Sequence, residues 1–268
     1  MLKNIFRGIH AYGGTLKLIR KLGLWKYFGV PMLISVIIAI IIGFAAYGLS
    51  DNIGSMIAKA WVWEWGVQTF RTISDFIGGL LVITLGLILY KHIVMALSAP
   101  FMSPVSEKIE AHLLGEQLQH RNTSFGAQLW RGIRINLRNL AMELFLTVPI
   151  LILGFIPIIG ILSSVLLFLV QSYYAGFGNM DYTLERHFEV KKSVRFVKNY
   201  SGVAMGNGIV FMLMLFIPIV GIILVLPLSV TAATTETVRL LKESNSLIEG
   251  DLPGFKKLAG SNTMDKTS

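Results

Sequence analysis

The chain has 268 residues, of which 54% are hydrophobic and 15% charged, with a net charge of +9 and no cysteine. A soluble domain carries about 25% charged residues, so this composition belongs to an integral membrane protein and not to a nucleic-acid binder. Without cysteine, disulfide-stapled scaffolds, thiolate metal centres and thiol nucleophiles are excluded.

Residues 1–26 hold six bases (Lys3, Arg7, Lys17, Arg20, Lys21 and Lys26) and no acid. Leu2, Ile5, Phe6, Ile9, Tyr12, Leu16 and Ile19 recur at helical spacing, which predicts a basic amphipathic helix on an anionic leaflet. Tyr27 to Ser50 follows as 24 uncharged residues. About 20 residues cross a ~30 Å hydrocarbon core, so 27–50 is a span. It starts too late and runs too long for a cleaved signal peptide. The loop beyond carries Trp61, Trp63 and Trp65, read as an interfacial belt. A second span is predicted over 72–98, with Lys91 snorkelling near its polar end. Pro104 after Ser103 reads as the start of a further helix.

Leu144–Met180 and Asn199–Thr235 are each 37 residues without a charge. That is long for one span and short for two, since two need about 40 residues plus a turn. Phe155-Ile156-Pro157-Ile158-Ile159-Gly160 recurs as Phe216-Ile217-Pro218-Ile219-Val220-Gly221, 61 residues later. Two hemi-penetrating hairpins, 140–180 and 199–235, are expected to turn at Pro157/Gly160 and Pro218/Gly221. Non-helical backbone at that depth must be buried in protein or line a wet cavity. Two ordinary span pairs are the alternative. The expected fold is an all-α integral membrane protein with two long transmembrane helices plus these hairpins. It forms one membrane domain over 1–243, followed by a disordered tail over 244–268. The positive-inside rule puts both termini in the cytoplasm of a multi-pass inner-membrane protein. Short arms with much apolar surface to cover predict a homo-oligomer among membrane lipids.

No phosphate loop, His-Glu-x-x-His helix or Gly-x-Ser-x-Gly elbow is present, so no catalytic residue, cofactor or metal is expected. His10, His92, His112, His120 and His187 are scattered and read as solvated or interfacial. Glu107 and Glu110 read as a solvated helix face. Anion chemistry remains. Arg20, Lys21 and Lys26 surround Gly23, and a turn at Gly23-Leu24-Trp25 offers backbone N–H groups at the start of a helix. An inorganic oxyanion and lipid headgroups are both candidate occupants. The helix restarts after Gly160 and Gly221 are a second anion-friendly feature.

Several stretches together carry a likeness: Leu22-Gly23-Leu24, Leu97-Ser98-Ala99-Pro100-Phe101 and Ser106-Glu107-Lys108-Ile109-Glu110. Asp181-Tyr182-Thr183-Leu184-Glu185-Arg186, Ala204-Met205-Gly206-Asn207-Gly208, Ile217-Pro218, Pro227 and Ala233-Thr234 continue it. Over residues 5–240 the chain resembles the CysZ sulfate permease family, within the etoposide-induced protein superfamily. The resemblance implies a channel-like permease passing sulfate across the inner membrane toward cysteine synthesis. It implies a sulfate site at a Gly-Leu-Arg turn; here Trp25 stands at the arginine position and Lys26 follows. The alternative is a membrane protein of the same fold that has lost sulfate binding and serves another solute or an interaction role.

Overall fold

The computed structural model describes residues 1–58, 67–115, 124–154, 157–217 and 219–251. All regular structure among them is helical: α1 Leu2–His10, α2 Thr15–Lys21, α3 Trp25–Ala58, α4 Val67–Leu114 and α5 Phe125–Gly154. The order continues with α6 Pro157–His187, α7 Val190–Asn199, α8 Ser201–Leu215 and α9 Val220–Asp251. Among the described residues five segments are long and apolar enough to cross a membrane: Trp25–Leu49, Thr84–Leu114, Phe125–Leu153, Gly160–His187 and Gly221–Ser244. The chain is a multi-pass, all-α membrane protein.

Several boundaries differ from expectation, each for a physical reason. The amphipathic stretch is two helices, broken where Gly14 takes φ +88°, a conformation a side chain would oppose. Pro104 does not begin a helix. It lies with Pro100 inside the 48 residues of α4, and the Ser103 hydroxyl donates to Glu185 on α6 instead of capping α4. A proline inside a membrane helix survives where neighbouring helices re-satisfy the freed carbonyls. Helix α9 runs on to Asp251, past the expected start of the tail. The tryptophans at 61, 63 and 65, His120, Pro218 and residues 252–268 lie outside the described residues.

At both copies of the repeated motif one helix ends and another begins. Pro157 opens α6, where its missing N–H is no loss, and Gly160 sits half-buried in the first turn. At the second copy, Ile219 takes φ +64°, the one described non-glycine residue in that region. Gly221 then lets α9 fold against the end of α8: a Cβ there would lie 2.1 Å from the Met214 carbonyl oxygen.

Small residues set how closely the helices approach. A Cβ on Gly208 would fall 1.6 Å from the Ser172 carbonyl oxygen, and one on Gly176 1.7 Å from that of Ala204, so α6 and α8 touch backbone to backbone. Gly8 brings α1 onto α8 in the same way, 2.3 Å from the Val203 carbonyl oxygen. One apolar core joins Ile19, Leu24 and Phe28 to Met95, Met102 and Val225. A second gathers Phe177, Met180, Leu184, Val197 and Leu240. By contrast α3 leaves Leu33, Ile37, Ile40, Ile41 and Phe44 exposed, the face a membrane helix turns to lipid.

Candidate functional site

The basic turn was the site expected from sequence, and its backbone is well defined. Gly23 takes φ +60°. Its N–H donates to the Arg20 carbonyl at 3.2 Å, and that of Leu24 to Ile19 at 3.0 Å. This pair of bonds is the Schellman closure of α2, so the Gly23 and Leu24 amides are already spent. The Trp25 and Lys26 amides open α3, and no backbone carbonyl among the described residues accepts from them. Leu24 is buried in the core and fixes the turn from beneath. Trp25 stays exposed, edge-on to Phe28 with 5.9 Å between ring centroids. The Lys26 ammonium lies 5.4 Å from the Tyr27 ring centroid and that of Lys108, from α4, lies 5.0 Å from it. Lys108 was not anticipated there. Arg20 and Lys21 are exposed on the last turn of α2.

A larger polar system runs through the bundle, and sequence reasoning missed it. Lys91 does not snorkel. Its side chain is fully buried, with Nζ donating to Glu143 Oε1 at 2.6 Å and to the Gln171 carbonyl at 3.1 Å. His92, expected to be solvated, is buried beside it, its Nε2 2.9 Å from Glu143 Oε2. Further along α4, Ser106 meets Thr183, which bonds Thr234 of α9 at 3.1 Å. Glu110, expected on a solvated face, is 1% exposed, whereas Glu107 is exposed. Arg186 donates to Glu110 Oε2 from Nη2 at 2.8 Å and Nε at 3.1 Å, and His187 Nε2 lies 2.5 Å from Oε1. Arg131 clasps Asp181 bidentately at 2.9 and 3.1 Å and also donates to the Phe188 carbonyl and Ser193 Oγ. The Asp-Tyr-x-x-Glu motif is thereby used throughout. Asp181 binds α5, Tyr182 donates to the Met95 carbonyl at 2.6 Å, and Glu185 accepts from Ser103.

The N-terminal helices are tied to the same bundle. Arg7 Nε donates to Glu236 at 2.6 Å, and its terminal nitrogens reach Glu243 at 2.9 and 3.1 Å. Those carboxylates, Glu243 foremost, hold the guanidinium pKa above its ordinary value. Tyr12 Oη lies 2.9 Å from the Asn207 carbonyl and 2.6 Å from Ser229 Oγ. Burial pushes the Tyr12 hydroxyl far above its usual pKa, so it remains a donor.

Residues 11–225 match the family of sulfate transporter CysZ and etoposide-induced protein 2.4. The chain belongs to this family. Among curated relatives, the sulfate transporter CysZ of Pseudomonas aeruginosa, strains LESB58 and PAO1, is 25% identical over 236 residues. The match covers 87% of this chain and 94% of that protein. The sulfate transporter CysZ of Pseudomonas paraeruginosa PA7 is 26% identical over the same shares. The family match takes in the Gly23 turn, the Lys91 and Glu110 clusters and the second Pro/Gly turn, and it ends within α9. Glu236 and Glu243, the partners of Arg7, lie beyond it. No group of three or more His, Asp or Glu side chains is placed to hold a metal among the described residues.

Proposed function

We propose that the chain is a channel-like oxyanion permease with sulfate as its solute, working in the inner membrane without an ATPase of its own. What carries the reading is the file of buried charged and hydroxyl groups through the apolar bundle of a chain in this family. Ionisable residues among membrane helices mark ion pathways by default, because leaving them there without a task is costly. The Gly23 turn is the proposed entry point. There the Trp25 and Lys26 amides, the positive end of α3 and the Lys26 ammonium meet an anion, while Arg20 and Lys21 raise the local potential.

Trp25 is the weak point of that entry, since it supplies no guanidinium. Trp25→Arg is expected to tighten sulfate binding and Lys26→Ala to weaken it. A charge-assisted bond contributes about 1.5–3 kcal/mol, roughly ten- to a hundredfold in affinity. Isothermal titration reads both variants, beside radiolabelled sulfate flux into liposomes with chloride and phosphate as competitors. Flux equal to that of empty liposomes overturns the permease and favours a same-fold protein for another solute. Flux with unchanged affinity in Trp25→Arg removes the turn from the site.

The two Pro/Gly turns are proposed to sit at membrane depth, with α5–α6 and α8–α9 each entering and leaving on the N-terminal side. Helix α8 has 15 residues, about 23 Å at 1.5 Å per residue, too short to cross a ~30 Å core. Single cysteines read cleanly in this chain. Leu16→Cys and Lys192→Cys should label from the cytoplasmic side alone and Asn52→Cys only from outside. Rapid external labelling of Ile219→Cys by a bulky impermeant reagent would make the hairpins full span pairs. The short α8 arm supports a homo-oligomer, and a monomer by light scattering in mild detergent would overturn it.

A further inference from the structure

The Lys91 cluster has a feature that a structural ion pair does not need. The Glu143 carboxylate is gripped at both oxygens by consecutive residues of α4, Lys91 at 2.6 Å on Oε1 and His92 at 2.9 Å on Oε2. Neither Lys91 nor Glu143 exposes any side-chain surface. Both ring nitrogens of His92 face oxygen acceptors, since Nδ1 lies 3.3 Å from Asn136 Oδ1 while Asn136 Nδ2 donates to the Gly132 carbonyl. The Lys91 ammonium and the His92 ring thus converge on one carboxylate.

More donors stand on the same face of α5. Asn139 and Thr147 lie one turn before and one turn after Glu143, and are 0% and 1% exposed. Asn139 Oδ1 accepts from Arg138 at 2.9 Å. Its Nδ2 and the Thr147 hydroxyl are left without a partner. A buried polar atom left unpaired costs about 1–3 kcal/mol, so two on one helix face beside an ion pair call for an explanation. Replacing a buried ion pair by apolar side chains is often neutral or stabilising, so packing alone does not account for Lys91 and Glu143. The donor set, an ammonium and an imidazole with an amide and a hydroxyl alongside, is one that can hold an oxyanion. Among the described residues the carboxylate between Lys91 and His92 is that of Glu143.

We infer that Lys91, His92, Asn139 and Thr147 form an intramembrane oxyanion subsite, and that the Glu143 carboxylate is a tethered stand-in occupying it until a permeant anion displaces it. The inference rests on the permease reading and names an inner station on that path, remote in sequence from the Gly23 turn. A dianion attracts Lys91 more strongly than a carboxylate does, which offsets part of its larger desolvation cost. The bond from Lys91 to the Gln171 carbonyl holds the ammonium in place as Glu143 leaves. With Glu143 seated the station is closed, which makes this side chain a gate as well as a mimic.

Glu143→Gln keeps the shape and removes the competing charge. If the subsite is open about a tenth of the time in the native protein, apparent sulfate affinity tightens roughly tenfold on that change. Sulfate flux into liposomes at limiting sulfate should rise accordingly. Lys91→Gln combined with Glu143→Gln, which leaves a neutral pair, should abolish the gain. Selenate serves as the probe for occupancy, located by its anomalous scattering in crystals of the full chain. It is expected beside Lys91 in Glu143→Gln and absent from the double variant. Folded Glu143→Gln protein with unchanged or lower flux and no selenate at Lys91 overturns the inference. Should that variant not fold, Glu143→Asp withdraws the carboxylate by one methylene and is read in the same way, with a smaller gain expected and no gain counting against. Selenate at Lys91 in a protein that passes no sulfate would sink the permease reading while leaving the subsite standing.

Discussion

Gly208→Val is expected to abolish the folded protein. The α6–α8 contact is reciprocal, Gly208 against the Ser172 carbonyl at 1.6 Å and Gly176 against the Ala204 carbonyl at 1.7 Å for a built Cβ. The obstructing atoms are main-chain oxygens, which cannot rotate aside as a side chain would. The helices would have to part, opening the core around Phe177 and Val203 and stretching the 2.9 Å bond from Asn179 to Asn207. Overpacking costs about 1–3 kcal/mol where side chains can adjust and more where they cannot. Set against a total stability of about 5–15 kcal/mol, that removes most of the margin. Size-exclusion profile and thermal unfolding in detergent read the effect. Gly29→Ala, where a Cβ meets nothing within 4 Å, is the matched control and should behave as the parent. A Gly208→Val protein with an unchanged melting temperature would mean the two helices do not touch as described.

Glu110→Ala should be the most damaging charge deletion. It strands the Arg186 guanidinium, 3% exposed, with only the Ser103 and Tyr182 carbonyls and the Ser106 hydroxyl as acceptors. It also removes the carboxylate oxygen that faces His187 Nε2. Breaking a buried pair on one side costs about 3–5 kcal/mol, because the remaining charge stays desolvated. Removing both, as Glu110→Gln with Arg186→Met, should recover much of that stability. If the buried file conducts, the double variant folds and passes no sulfate. Denaturation in mild detergent together with liposome flux separates the two effects. Equal stability of Glu110→Ala and the parent would show that Glu110 is solvated after all.

The all-α membrane class was legible because charge-free length is a one-dimensional signal, although two long spans were expected and five helices among the described residues are long and apolar enough to cross. The buried charges were not, since their meaning depends on what faces them. Lys91 follows an uncharged run and precedes His92, the pattern of a helix end reaching the interface. Only α5 packed alongside shows that Glu143 neutralises it. Glu107 and Glu110 are three residues apart, and nothing in the sequence says which one α6 covers. A signal did exist: Lys91 interrupts an apolar run and Glu143 borders one, positions where a lone charge wants a partner. The N-terminal stripe was read as one amphipathic helix on a leaflet, whereas it forms two helices and α1 meets α8 through Gly8. Periodicity gives the face of a helix and not its neighbour. At Gly23 the glycine was readable as a turn, but not that closing α2 would consume two of the amides.

Helix α4 carries both charged clusters, Lys91 and Glu110, 19 residues apart, about 28 Å along one rod. Pro100 and Pro104 fall between them. Each proline deletes a rung of the helical ladder, so the bending compliance of the rod is concentrated in that short interval while the lengths on either side stay stiff. A force applied at the Gly23 end, where Lys108 meets Tyr27 beside Lys26, turns the Glu110 half as a unit about this joint. The Lys91 half is held separately, through Met95 in the core that also contains Leu24 and Phe28. If the Gly23 turn is the entry and Lys91 the inner station, they are two ends of a jointed beam, and stiffening the joint would uncouple their timing without touching either set of charges.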